Sequence, residues 1–221
     1  MFQFKIKNKM AIQLNSTREA YKAFPQEGTA PNIVQMPLLI ADGRVPMNVS
    51  QLMQRRLDYR NGPAEVKTAW MDNYFDTGDA VIDHPNGNVK IVLDSQHLRE
   101  VTPESEFRNG ALILPDGIYE TLQGTEFTRG ELENHIGNSL TTEKVKSNPI
   151  WKVLSRDDKL LVDYTDYIFS EAKARFNYDT NMGVYLADKQ KVPTMRVWCV
   201  GWFDGGSDAG GRLSLVNSVG R

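Results

Sequence analysis

The sequence predicts an α+β protein with a mainly antiparallel sheet, several short helices and one longer amphipathic helix. Three observations predict it: two apolar runs that each reverse at turn residues, a helical apolar period over residues 155–176, and an aromatic strand near the C-terminus.

Along the chain, Phe2, Phe4 and Ile6 alternate with polar neighbours, which predicts a short strand, followed by another at residues 11–14. Ser16-Thr17-Arg18-Glu19 has the spacing of a capping box, starting a helix through Ala20 and Phe24 that Pro25 ends. Residues 25–37 hold three prolines and Gly28 among polar neighbours and are predicted to loop. Ser50 is the predicted cap of a second helix, with Met53 and Leu57 one turn apart, closed by Asn61-Gly62-Pro63.

The two hairpins come next. Ala80-Val81-Ile82-Asp83 reverses through His84-Pro85-Asn86-Gly87-Asn88 into Val89-Lys90-Ile91-Val92-Leu93. Ala111-Leu112-Ile113-Leu114 reverses through Pro115-Asp116-Gly117 into Ile118-Tyr119-Glu120-Thr121-Leu122. Glycine and asparagine supply positive φ and proline presets its own φ, so both reversals have a mechanism. The whole chain is read as one domain, and the polar residues 138–148 mark where a subdomain junction would fall. Asn148-Pro149 has the form of a cap with proline at the first helical position. Ser155 and Asp158 then lead a helix with Leu161, Tyr164, Ile168 and Ala172 on one face and Asp157, Asp163, Asp166 and Glu171 on the other. A strand at residues 183–187, the aromatic strand at 195–203, a glycine-rich loop and a return strand at 213–216 complete the reading. Both faces of the aromatic strand are apolar, as expected inside a packed sheet.

Composition narrows the function classes. The 221 residues, 40% hydrophobic and 24% charged, are those of a globular chain able to bury roughly 70% of its unfolded surface. A formal charge of −2 supplies no global field for a polyanion, so nucleic acid would have to be held by a local patch. The single cysteine, Cys199, excludes an intrachain disulfide and a multi-cysteine zinc site, and its neighbours Trp198 and Val200 predict a buried thiol. The N-terminal residues lack the apolar core of a secretory signal and no apolar run approaches the ~20 residues of a membrane span, so a cytoplasmic location is expected.

Three constellations carry candidate chemistry. The first is the loop after the aromatic strand, with Trp202, Asp204, Gly205, Gly206, Ser207, Asp208 and Arg212 as residues that contact a ligand or partner. Its Gly205-Gly206-Ser207-Asp208-Ala209 departs from a nucleophile elbow, because alanine stands at the last glycine, a strand pattern follows and no histidine comes later. It also lacks the Lys and Ser/Thr of a phosphate loop. The second is Asp72, Asp76, Asp79, Asp83 and His84, whose carboxylates and imidazole are ligand types for a divalent metal. Within it, Asp79, Asp83 and His84 would form the centre of a metal-dependent hydrolase or nuclease. The third is Arg55, Arg56 and Arg60, able to grip phosphates or carboxylates but more simply a solvated helix face.

With an ample core and no complete catalytic constellation, the leading expectation is a non-enzymatic binding or accessory module. It would need no cofactor, and its glycine-rich loop would contact a protein or small ligand. The metal-dependent hydrolase or nuclease is the alternative. Homo-oligomerisation through an aromatic edge is a further route to assembly.

Overall fold

The computed structural model describes residues 31–73, 75–137, 139–203, 206–212 and 214–216, with Trp202, Phe203 and Gly206 described by backbone alone. The strands expected at 2–6 and 11–14 and the helix after Ser16 lie outside the described residues.

The described elements are α1 (Asn32–Ala41), α2 (Val49–Asp58), α3 (Ala64–Met71), β1 (Phe75–Asp83), β2 (Asn88–Val92), α4 (Gln96–Arg99), β3 (Phe107–Arg108), β4 (Ala111–Ile113), α5 (Ile118–Thr121), β5 (Thr125–Thr128) and α6 (Arg129–Leu132). They continue with α7 (Thr142–Ser147), α8 (Pro149–Ser155), α9 (Asp158–Phe176), β6 (Val184–Leu186), β7 (Thr194–Phe203) and β8 (Gly206–Gly211). The fold is α+β, as the sequence predicts.

One sheet holds all eight strands, in the order β3-β4-β7-β1-β2-β5, with β8 beside the outer half of β7 and β6 beside β8. Every pairing is antiparallel except that of β6 with β8. Side chains alternate across a strand, so the apolar runs of β1 and β7 feed two cores at once. Val81, Trp198 and Val200 join the larger cluster, with Leu52 and Met53 of α2, Trp151 and Leu154 of α8, and Leu161 and Ile168 of α9. Ala80, Ile82, Met195 and Val197 join the smaller one, with Leu98, Tyr119 and Leu215. The larger cluster draws on both sides of the 138–148 stretch.

The β1–β2 hairpin forms where the sequence places it, with Ala80 opposite Val92 and Asp83 opposite Val89. Gly87, at φ 99°, turns the chain, and Asn86 Oδ1 accepts from the Asn88 N–H at 2.8 Å. The second hairpin is corrected. Residues 118–121 form the short helix α5, entered through Gly117 at φ 78°, and β4 pairs instead with β3 and β7. The turn between β3 and β4 is Asn109-Gly110, both at positive φ (50° and 73°), the two-residue connection that matches strand twist.

Other boundaries shift for local reasons. Residues 32–41, the first six of them expected in a loop, form α1 despite Pro37 in its interior, with Ile33 packed on the smaller core. Asn48, not Ser50, caps α2, through a capping box with Gln51. Arg156, at φ 61°, ends α8, and the Asp157 side chain then accepts from the Leu160 N–H at 2.7 Å to start α9, so the long helix begins at Asp158. Asn148 and Pro149 start α8 as expected.

The largest correction concerns the glycine-rich segment. Residues 206–211 are strand β8, paired with residues 199–203 of β7, so the return strand is the glycine run itself, and residues 214–216 of the expected return strand are outside any strand. A Cβ on Gly211 would stand 2.8 Å from Val81 Cγ1 and 3.2 Å from Trp198 Cζ3. Glycine here lets the backbone lie directly on the core.

Candidate functional site

Asp204 and Gly205, which join Phe203 to Gly206, lie outside the described residues, so the expectation that they contact a partner rests on sequence. The base of that hairpin is fully laid out. Ser207 is buried, and its Oγ lies 2.9 Å from Arg56 Nη1 and 2.6 Å from Tyr164 Oη. Its backbone N–H donates to Asn181 Oδ1 at 2.6 Å. Asp208 is also buried, and its carboxylate accepts the Gly183 N–H just ahead of β6. Burial pushes the Asp208 carboxyl up to about 6, against the pull of the Gly183 hydrogen bond and the Arg212 charge.

Ser207 and Asp208 are therefore anchors inside the sheet rather than contact residues on a loop. Among the predicted contact residues, Arg212 is exposed, with its guanidinium 4.5 Å from the Tyr185 ring centroid. The burial of the Ser207 side chain against Arg56 and Tyr164 also removes it as an exposed nucleophile.

Arg56 organises this base. Its Nε donates to the Trp70 carbonyl at 2.8 Å, Nη1 to Tyr164 Oη at 2.7 Å as well as to Ser207, and Nη2 to the Asn73 carbonyl at 3.0 Å. It is 1% exposed, so the solvated-face expectation for the arginines of α2 fails at this position. Arg55 lies over the Tyr59 and Trp70 rings, while Arg60 is exposed. A signal for Arg56 was present: Val49, Leu52, Met53 and Arg56 share the i, i+3, i+4, i+7 stripe, which places position 56 on the buried face. Tyr164 was assigned to the core for its ring, and its hydroxyl partner had no local signal.

The acidic constellation does not converge. Asp79 accepts from the Val49 N–H at 2.8 Å, the Asp94 N–H at 2.9 Å and Arg156 Nη2 at 2.7 Å. Burial raises its pKa although all three donors oppose the rise. Asp83 pairs with Arg129, whose Nη2 also donates to the Ala187 carbonyl at 2.7 Å. Burial outweighs that pairing and pushes the Asp83 carboxyl up to about 6. The His84 ring lies against Tyr119, centroids 4.4 Å apart, Asp72 is held by both terminal nitrogens of Arg175, and Asp76 accepts from Asn32 Nδ2 at 2.7 Å. Among the described residues, no group of three or more His, Cys, Asp or Glu side chains could hold a metal ion. Each aspartate that suggested a metal has a partner fixed by the fold.

Cys199 is buried, and burial followed by the Asp76 carboxylate beside it raises its thiol pKa well above the ordinary value. Between the two cores, α1 and residues 44–47 close over a cavity of about 220 Å³, lined by Leu39, Met47, Phe75 and Val197 with the Asn32–Asp76 pair in its wall. Sequence reasoning missed it because it treated residues 25–37 as a loop. No helix of the described residues is long and apolar enough to cross a membrane.

No family model matches the chain, and no curated protein matches it. Its fold is similar to that of a solved structure described as accommodation of massive sequence variation in Nanoarchaeota by the C-type lectin fold. The TM-score is 0.59 and the identity 12%, over 91% of this chain and 90% of that one. At that identity the likeness is one of fold, and it places this α+β architecture beside the C-type lectin fold.

Proposed function

We propose that the protein is a non-enzymatic binding module that contacts a protein or small-ligand partner with the outer end of its β7–β8 hairpin. The contact set is Trp202, Asp204, Gly205 and Arg212, and Ser207 and Asp208 brace it from within. The observation that carries the reading is this bracing. Arg56 of α2, Tyr164 of α9 and Asn181 all bond to one residue of β8, Ser207, so the strand leading from the hairpin is tied to two helices. A braced arm loses little conformational freedom when it binds, which favours affinity. The solved structure of similar fold supports the reading in one respect: its fold accommodates massive sequence variation, as a scaffold with separate framework and contact residues would.

The test compares the wild-type chain with a Trp202→Ala, Asp204→Ala, Arg212→Ala variant as baits for quantitative affinity purification from its native cell extract. The expected result is a partner retained by the wild type and lost by the variant, with both chains keeping a single cooperative unfolding transition in urea. Equal retention by both chains would remove the hairpin end as the contact surface.

A further inference from the structure

The cavity that α1 and residues 44–47 close over is walled mainly by apolar side chains, among them Leu39, Met47, Leu52, Phe75 and Val197. Its volume of about 220 Å³ is roughly one and a half times the ~150 Å³ of an engineered apolar cavity that binds benzene. A single aromatic ring with a short substituent therefore fits. Trp70 belongs to the same lining, and its indole N–H is buried without a hydrogen-bond partner among the described residues. A buried donor of this kind costs free energy until an acceptor meets it. The rest of Trp70 is fixed: its ring stacks on Phe75 with centroids 5.2 Å apart and on Tyr59 at 6.4 Å, and its carbonyl accepts from Arg56 Nε at 2.8 Å. The donor is thus held in place before anything binds, which limits the ordering cost of binding. Val45 both lines the cavity and is 63% exposed, which puts an entrance at the 44–47 segment.

We propose that this cavity is a binding site for a small uncharged aromatic molecule carrying a hydroxyl, whose oxygen accepts from the Trp70 indole N–H. The ring exchanges water for contact with Phe75, Val197 and the adaptable Met47 side chain. The hydroxyl oxygen supplies the acceptor that Trp70 Nε1 lacks among the described residues. Asp76, in the same lining and held by Asn32 Nδ2 at 2.7 Å, keeps lone pairs that can take the hydroxyl proton. The same carboxylate repels a ligand anion where water is excluded, so an aromatic carboxylate binds poorly. A hydrocarbon ring would fill the volume but leave the indole N–H unpaired. The site stands whether or not the hairpin end binds a partner.

Titration of the full chain with para-ethylphenol, followed by NMR, is the test. Saturable one-to-one binding is expected, with NOEs from the ligand ring to the Met47 methyl and a shift of the Trp70 indole proton. Ethylbenzene is the control without a hydroxyl, and para-ethylbenzoate, the anionic control, should not saturate. Trp70→Phe keeps an aromatic ring and removes the donor. It should weaken para-ethylphenol by roughly threefold to tenfold more than it weakens ethylbenzene, the range of one neutral hydrogen bond. If that variant fails to fold, the NOEs and the indole shift in the wild type decide. No saturation by para-ethylphenol, NOEs to residues away from the cavity, an equal loss for both ligands in the variant, or equally tight binding of para-ethylbenzoate overturns the site.

Discussion

The β1–β2 and β7–β8 hairpins are built in opposite ways within one sheet. In β1–β2 the strands carry short continuous apolar runs, the turn carries Pro85, Asn86 and Gly87, and the local chain holds most of the information needed to fold it. In β7–β8 one strand is aromatic and β-branched, whereas the other is Gly206-Ser207-Asp208-Ala209-Gly210-Gly211, with almost no strand propensity. That second strand exists because distant groups hold it. Arg56, 151 residues away, and Tyr164, 43 residues away, meet at Ser207, and Trp198 presses against the bare backbone at Gly211. A strand with weak propensity is formed when tertiary bonds satisfy its polar groups and its lack of side chains permits close packing.

The greatest stress on this contrast comes from Arg56→Ala, which leaves Tyr164, Ser207 and two carbonyls without their donor and opens a cavity. A loss of about 3–5 kcal/mol is expected in urea unfolding. A loss under about 1 kcal/mol would mean that β8 does not depend on the network.

Next is pH, to which β8 contributes one raised carboxyl, Asp208, and β1 contributes two, Asp83 and Asp79, all raised by burial. The folded pKa of Asp83 and of Asp208, about 6, lies above the 3.8 of a solvated carboxyl, so the native state binds more protons in that window. The stabilisation is fully present below about pH 4 and is lost as pH rises through 6, by up to about 3 kcal/mol per carboxyl. Thermal melts between about pH 4.5 and pH 7.5 should show this slope, and Asp208→Asn should flatten it; an unchanged slope would locate the proton uptake elsewhere.

Smaller effects separate the two kinds of glycine. Gly211→Ala should cost about 1–3 kcal/mol by overpacking against Val81 and Trp198. Gly87→Ala meets nothing within 4 Å and should cost only about 1 kcal/mol, from its φ of 99°. If the turn substitution proved the more damaging, the β1–β2 hairpin would be the one that depends on a single position. Last, thiol labelling of Cys199 in the native protein should be undetectable over the time in which the unfolded chain labels completely, because the thiol is buried and held protonated.

The legible parts of the molecule are those whose signal is local. Asn148-Pro149 at the start of α8, the apolar face of α9 and the β1–β2 reversal are all short-range patterns. The Asn109-Gly110 turn was equally local and its omission led to the misplaced second hairpin. In the candidate site, the hairpin residues are adjacent in sequence, but whether each faces outward or inward depends on Arg56, Tyr164, Asn181 and Gly183, none of them near in the chain. The metal reading failed for the same reason, since Arg129 and Arg156 approach Asp83 and Asp79 from 46 and 77 residues away.

By itself the sequence determined the α+β class, the two apolar faces of β7, the β1–β2 reversal and the Asn148-Pro149 start of α8, because side-chain periodicity and turn chemistry act over a few residues. Only the tertiary structure decided that the glycine run is a strand, that Ser207 and Asp208 are buried, and that Asp72, Asp79 and Asp83 are tied to arginines. Desolvation and hydrogen bonding between distant segments set those outcomes, and a buried polar group is stable only where the fold delivers its partner.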